Sequence, residues 1–500
     1  MDLLANLATG FSVALTVTNI LYCFAGVLLG TLVGVLPGIG PVTTVAMLLP
    51  FSFSLPPESA LIMLAGIYYG AQYGGSTTAI LVNIPGEASS VVTTIDGYKM
   101  AIAGRAGPAL GIAALGSFFA GTVATALVFV GAPLLSSIAL KFGPTEYFSL
   151  MVCGLVASIV LAHGSVIKAI GMVALGLLFG IVGTDINSGV RRFTFDLRGL
   201  ADGIEFVALS MAIYGLADIA LNLERKETST SIVKAKIGRV LPSLSEIKHC
   251  IPAILRGTTL GSILGVLPGG GALLAAFAAY TLEKKVARKP RHFGEGDIRG
   301  VAAPESANNA GAQTSFIPML TLGIPSNPTM AMMIGAMMIH GISPGPRVMT
   351  DRPGLFWGLI ASMWLGNLIL VILNLPLVGM WVKLLRMPYR LLYPSIVVFC
   401  CIGAYAVNQN VFDVYVMAFF AVFGYICMKL DCEPAPLILG FVLGPMMEEN
   451  LRRSLLLSRG DPMVFIQDPI SLLFLVVAAG LLLVVALPAI QRTREAAMQE

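Results

Sequence analysis

One phrase occurs twice in this chain, and it limits the folds available to it. Gly30-x3-Gly34-Val35-Leu36-Pro37-Gly38-Ile39-Gly40 returns 231 residues later as Gly261-x3-Gly265-Val266-Leu267-Pro268-Gly269-Gly270-Gly271. Each copy ends a long apolar run in Pro-Gly-x-Gly, which removes a backbone donor and admits conformations that other residues avoid. Broken apolar segments at matching places in two halves mark the binding region of many membrane transporters.

Composition places the chain in a bilayer. It is 56% hydrophobic and 12% charged over 500 residues, whereas soluble domains carry about 25% charged residues. Apolar windows at Phe11–Leu36, Pro108–Val130, Tyr147–Ala162, Ile167–Val182, Ile251–Val266, Leu355–Val378, Ser395–Val407, Tyr415–Met428 and Ser471–Ile490, with shorter Gly-rich runs between them, predict roughly 10 to 12 crossings. The expected fold is an all-α polytopic membrane protein with re-entrant or broken helices and two repeats and, by analogy of fold alone, an elevator-like plan. No Lys or Arg precedes Lys99, so an ordinary signal peptide is not expected and the first span should stay in the protein. A net charge of +4, with its basic residues in loops, gives no support for nucleic-acid binding. The seven cysteines sit mostly in apolar runs without metal-ligand spacing, where cysteine acts as a small hydrophobe.

Further landmarks repeat in order. Gly70-Ala71-Gln72 matches Gly311-Ala312-Gln313, and Asn83-Ile84-Pro85-Gly86 matches Gly323-Ile324-Pro325-Ser326. Gly180-x2-Gly183 with Asn187 and Arg191-Arg192 resembles Gly440-x3-Gly444 with Asn450 and Arg452-Arg453. The expected organisation is a first membrane repeat at 1–222, a basic cytoplasmic connector at 223–250, a second repeat at 251–467, and a C-terminal transmembrane helix and tail at 468–500. Basic stretches on both sides of Ile251–Tyr280 predict that this region enters and returns. Basic residues follow the first copy late and the second copy early, which favours inversion of one repeat against the other.

Chemistry gathers at the breaks. Pro37, Pro85, Pro268 and Pro325 are the expected helix breaks, tolerated in hydrocarbon only where they are buried or line a cavity. Freed N–H groups at Gly38, Gly40, Gly269 and Gly271, with the positive ends of following half-helices, would suit a carboxylate. Ser76, Thr77, Asn83, Thr314 and Ser315 would complete that shell. Unwound carbonyls near Asn83, Pro85, Gly323 and Pro325 could coordinate Na⁺. The competing reading is that these glycines and hydroxyls pack helices or satisfy backbone carbonyls. In Pro304-Glu305-Ser306-Ala307-Asn308-Asn309, Glu305 or Ser306 could cap a helix. Alternatively, Glu305, Asn308 and Asn309 form a site for the coupling cation or proton, since intramembrane acids are costly. Glu87 and Asp96 raise the same question, while Glu58 after Pro56-Pro57 reads as a helix start. No P-loop, His-Glu-x-x-His or dinucleotide fingerprint occurs, so neither ATP binding nor catalysis is expected.

These motifs together, with Tyr69-Gly-Ala-Gln-Tyr-Gly-Gly-Ser-Thr-Thr78 and Asp96-Gly-Tyr98, resemble the TctA family, the large membrane subunit of bacterial tripartite tricarboxylate transporters, from roughly Val27 to Asp461. The resemblance implies an inner-membrane, multi-pass importer of small carboxylates, driven by Na⁺ or H⁺ without other cofactors. It also implies two protein partners, a small four-helix membrane subunit and a periplasmic solute-binding protein, besides membrane lipid. A carboxylate permease that needs no partners is the alternative, and a non-transporting scaffold or enzyme is a more distant one.

Overall fold

The computed structural model describes residues 3–36, 40–162, 165–185, 187–224, 239–267, 271–287, 292–384 and 389–486. Its first half runs α1 (Leu3–Ala14), α2 (Val17–Val35), α3 (Pro41–Ser52), α4 (Pro57–Val82), a 3₁₀ turn (Ala88–Ser90), α5 (Val91–Ile102), α6 (Ala106–Ala139), α7 (Pro144–Leu161) and α8 (Val166–Gly180). A two-residue antiparallel ribbon, β1 (Gly183–Thr184) with β2 (Arg191–Arg192), follows. Next, α9 (Phe206–Ser210) continues through a π-helical turn into α10 (Ala217–Glu224).

The second half begins with α11 (Leu244–Leu264), α12 (Gly271–Val286), α13 (Arg299–Thr314), α14 (Phe316–Leu322), α15 (Pro328–Ile339), α16 (Val348–Asp351) and α17 (Pro353–Asn374). It ends with α18 (Val378–Leu384), α19 (Tyr389–Asn408), α20 (Val411–Lys429), α21 (Pro434–Leu457), α22 (Val464–Gln467) and α23 (Pro469–Ala486). Among the described residues, α2, α6, the continuous helix Phe206–Glu224, α17 and α20 are long and apolar enough to cross a bilayer. Large apolar side chains such as Leu134, Ile167, Phe419 and Leu483 point outward, as a lipid-facing surface allows and a soluble monomer rarely shows. The chain is an all-α polytopic membrane protein.

Glycines set the packing of both halves with one pattern. Along α2, a Cβ at Gly26, Gly30 or Gly34 would lie 2.2–2.3 Å from the carbonyl oxygens of Met63, Ile67 and Ala71 on α4. Along α11, a Cβ at Gly257, Gly261 or Gly265 would lie 2.2–2.4 Å from those of Ala303, Ala307 and Gly311 on α13. Small residues every fourth position let helix backbones touch, so each half holds a parallel helix pair in the same register. This register pairs Gly311 with Ala71, one residue away from the motif match of Gly311 with Gly70.

Equivalent helices from the two halves run in opposite directions. Ser76 on α4 meets Glu305 on α13, and Gln72, one turn earlier, meets Asn308, three residues later. On α6 and α17, Gly121 faces Asn367 while Phe129 meets Trp357 edge to face at 5.3 Å between ring centroids. Antiparallel crossing of matched helices is what inversion of one repeat requires. The expected entry and return of Ile251–Tyr280 is a helical hairpin. Gly271 abuts Gly265 at its turn, and Arg256 on α11 forks onto Glu283 on α12 with bonds of 2.8 and 2.9 Å.

Other expectations are corrected. The window Phe11–Leu36 is two helices, because Thr16 caps the start of α2 with a bond from Asn19 N–H. The landmark shared by Gly180 and Gly440 is not part of the inverted repeat. Gly176 and Gly180 on α8 face the carbonyls of Leu437 and Phe441 on α21 in ascending order, so these helices run parallel. Residues 223–250 begin inside α10 and end inside α11, while 225–238 lie outside the described residues.

Candidate functional site

Two matched turns follow the Ile-Pro motifs. Asn83 (φ 61°) ends α4 and Gly323 (φ 71°) ends α14, both in the left-handed conformation that Asn and Gly tolerate. Four residues beyond each, a polar side chain starts the next helix. Glu87 accepts the Ser89 N–H at the 3₁₀ turn leading into α5, and Asn327 accepts the Met330 N–H of α15 at 3.0 Å. The first N–H groups of a helix have no partner within it, and at these two starts one of them is taken by Glu87 and by Asn327.

Those starts meet at one cavity of about 510 Å³, within the size range of small-molecule sites. Gly40 through Thr43 bring the N-terminus of α3 to it, and Ala272 through Leu274 the first turn of α12. Glu87 through Ser89 and Asn327 through Thr329 bring the two matched turns, and Glu433 through Ala435 the start of α21. Tyr68 and Gln72 of α4 and Tyr214 and Asp218 of the Phe206–Glu224 helix complete its walls. Among the described residues no Lys or Arg lines it, while Glu87, Asp218 and Glu433 do. Helix N-termini are the positive ends that this lining presents.

A buried polar network stands behind this cavity. Every residue of α13 is buried, including Glu305, Asn308 and Asn309. Glu305 accepts hydrogen bonds from the hydroxyls of Ser76 (2.5 Å) and Thr93. Asn308 Nδ2 donates to Glu87 Oε1 at 3.0 Å, and the Gln72 amide, with its nitrogen turned toward them, lies 2.7 Å from both Glu87 Oε1 and Asn308 Oδ1. Ser89 Oγ sits between Glu87 and Asn308. Asn309 donates to Ser117 Oγ at 2.7 Å. Neither Glu87 nor Glu305 has a Lys, Arg or His partner among the described residues. An ionised carboxylate buried without a counter-charge is costly; a proton or a bound cation removes that cost.

The residues singled out from the sequence fall in several places. Pro37, Gly38, Pro268 and Gly269 lie outside the described residues. Gly40 caps α3 at the cavity with open space at its Cβ, whereas a Cβ at Gly271 would run into Gly265. Ser76 and Thr77 lie behind the cavity, beside Glu305 rather than on the cavity wall. Asn83 is exposed and ends α4 in the left-handed conformation. Thr314 and Ser315 donate to the carbonyls of Ala310 and Ala312 and pack inside the helix pair. Pro85, Gly323 and Pro325 form the matched turns.

Glu305 is not a cap. Helix α13 starts at Arg299, and Glu305 sits inside it next to Pro304. Asp96 is buried but spoken for: it accepts N–H groups from Gly294, Gly296 and Asp297 and the Tyr280 hydroxyl at 2.8–2.9 Å, tying α5 to the turn before α13. Glu58 opens α4, as its place after two prolines implies. Gln72, Ser89, Thr93 and Asn327 went unassigned in the sequence. A signal for Asn327 was present, since it stands two residues after Pro325 as Glu87 stands two after Pro85.

Comparison with known proteins agrees with this architecture. The model of the tripartite tricarboxylate transporter TctA family matches residues 20–439. An Agrobacterium vitis relative, "Uncharacterized 52.8 kDa protein in TAR-I ttuC' 3'region", is 57% identical over 495 residues, 99% of this chain and 98% of the relative. Another from Agrobacterium vitis, "Uncharacterized protein in TAR-II ttuC' 3'region", is 57% identical over 235 residues, 47% of this chain and 97% of the relative. No solved structure matches. With the match running through both glycine-packed pairs and both Ile-Pro turns, the chain belongs to the tripartite tricarboxylate transporter TctA family and is a membrane transporter subunit.

Proposed function

We propose that this subunit imports small di- and tricarboxylates across the inner membrane as the large component of a binding-protein-dependent secondary transporter. The observation that carries the reading is the cavity where helix starts from both halves converge. Backbone N–H groups at a helix N-terminus bind carboxylate oxygens, and broken helices near the midplane present them to anionic substrates. Because Glu87 lines the same space and no Lys or Arg does among the described residues, accompanying cations favour the entry of a polyanion. Na⁺ or H⁺ would supply that compensation, which links substrate binding to an ion gradient. The partners we assign are a small four-helix membrane subunit and a periplasmic solute-binding protein, in keeping with the word tripartite in the family's name. Movement of the substrate-bearing helices as a unit, elevator fashion, is taken by analogy of fold.

Reconstitution tests this reading. Proteoliposomes holding this chain and the small subunit, with the binding protein added outside, should accumulate a radiolabelled carboxylate only under an inward Na⁺ or H⁺ gradient. Equal uptake by this chain alone would favour the self-sufficient permease, and no uptake under any gradient would defeat transport of this class.

A further inference from the structure

A second, much smaller cavity of about 10 Å³ lies behind the first, bounded by α4, α6 and the end of α17. Five oxygen-bearing side chains line it: Tyr73, Ser76, Thr77, Ser117 and Asn374, each at least nine-tenths buried. Tyr73 Oη and Asn374 Oδ1 have no hydrogen-bond partner among the described residues, and unpaired buried polar atoms are rare and costly. The Asn374 amide nitrogen is engaged with the Leu370 carbonyl at 2.9 Å, which leaves its oxygen available to the cavity. The three hydroxyls direct their protons elsewhere: Ser76 to Glu305 and the Gln72 carbonyl, Thr77 to the Tyr73 carbonyl, Ser117 to the Glu305 carbonyl. Ser117 Oγ also accepts from Asn309 Nδ2 at 2.7 Å and keeps one lone pair, while no donor to Ser76 or Thr77 Oγ is found among the described residues, so each hydroxyl has a lone pair to face the cavity.

We propose that this cavity is a monovalent-cation site, and that Na⁺ is the ion it takes. Hard cations take oxygen ligands, and divalent ions of this kind draw on carboxylates directly. Here all five lining donors are neutral, and the nearest carboxylate, Glu305, reaches the cavity through Ser76 Oγ at 2.5 Å. One negative charge behind a neutral oxygen cage balances one positive charge. A cation there also provides the counter-charge that Glu305 lacks among the described residues. The site is distinct from the Ile-Pro turns, where Asn83 is exposed.

The assignment rests on the reading of the chain as an ion-driven transporter, and a binding measurement separates the two. The purified full chain in detergent is unfolded thermally in NaCl, KCl or choline chloride at fixed ionic strength. Na⁺ should raise the midpoint in a saturable way that K⁺ and choline do not match. Tyr73→Phe removes only an unpartnered hydroxyl, so it should leave the midpoint in choline unchanged while raising the half-saturating Na⁺ concentration roughly tenfold or more, the scale of one lost ligand. Asn374→Leu should do the same to the Na⁺ response. A cavity that holds water instead gives equal midpoints in Na⁺ and choline, or a Na⁺ response untouched in Tyr73→Phe, and either overturns the site. Carboxylate uptake driven by H⁺ alone, with no Na⁺-induced shift, overturns the site and leaves the transporter reading standing. A Na⁺ shift without uptake under any gradient supports the site and defeats that reading.

Discussion

Glu87 and Asn327, 240 residues apart, occupy one position in two inverted halves. Each follows an Ile-Pro turn by two residues, each accepts a backbone N–H at the start of a helix, and both line the same cavity. One half thus places a carboxylate where the other places a neutral amide. That difference makes the pair informative. Asn327→Ala removes the cap of α15 and should cost about 1 kcal/mol, read as a lowered thermal midpoint. Asn327→Asp keeps the capping oxygen but adds an acid to the cavity, so it should retain the midpoint while cutting carboxylate uptake at least about tenfold, an effect of like charge. Unchanged uptake in a folded Asn327→Asp protein would remove Asn327 from the site.

Glycine has two roles here, and alanine separates them. Gly30→Ala and Gly261→Ala would press a Cβ to 2.3 and 2.2 Å from a carbonyl oxygen on the neighbouring helix. Overpacking of this kind costs about 1–3 kcal/mol, so both should lower the folded fraction in detergent size-exclusion chromatography. Gly131→Ala, with open space at its Cβ, is the matched control and should behave as wild type. Gly40→Ala also meets open space, so it should fold normally and lose uptake if a substrate approaches that backbone. Normal uptake by Gly40→Ala would place the substrate elsewhere in the cavity.

Much of the architecture could be read from the sequence because it rests on short-range chemistry repeated at a fixed interval. The Gly-x3-Gly runs specify which helices touch, and the Ile-Pro turns specify where helices stop. What could not be read was which side chains meet across the inverted halves. Glu305 sits inside a helix whose burial depends on α6, α11 and α12 packed around it, so a polar stretch that looked like a helix start is buried along its whole length. Asn83 has a backbone role that the sequence left unread. Its value to the fold is a left-handed backbone conformation, which also leaves its side chain at the surface. The match of Gly180 with Gly440 failed because similar glycine spacing also arises wherever two helices pack closely, whatever their direction.

Glu305→Gln tests the coupling carboxylate. A glutamine can accept one of the two hydroxyls of Ser76 and Thr93 through its oxygen and donate its amide N–H to the other, so the thermal midpoint should be close to wild type. Uptake should lose most of its dependence on the driving ion, since the charge that a proton or cation offsets is gone. Ion dependence retained at wild-type steepness would make Glu305 a structural residue.

At the membrane edge, pH has a defined sign. Hydrogen bonds from the Ser188 hydroxyl and the Asn187 N–H, with Arg452 at 3.0 Å, hold the Asp185 carboxyl down at about 2. A folded-state value below the ordinary one near 3.9 gives stabilisation that is complete above about pH 4 and lost as pH falls toward 2. Loosening of the β1–β2 ribbon, followed by hydrogen exchange at residues 183–192, should begin in that window. Asp185→Asn should loosen the same segment at neutral pH.

The central claim is that both halves contribute to one substrate cavity, and cysteine protection tests it most directly. Single cysteines replace Ala88 in the first half and Ala272 in the second, in a background freed of the seven native cysteines. Modification by a small thiol reagent is then followed in proteoliposomes as a transported carboxylate is titrated. The account predicts that both positions are protected, with the same half-saturating carboxylate concentration. Protection of one position alone, or of neither in protein that transports, would contradict it.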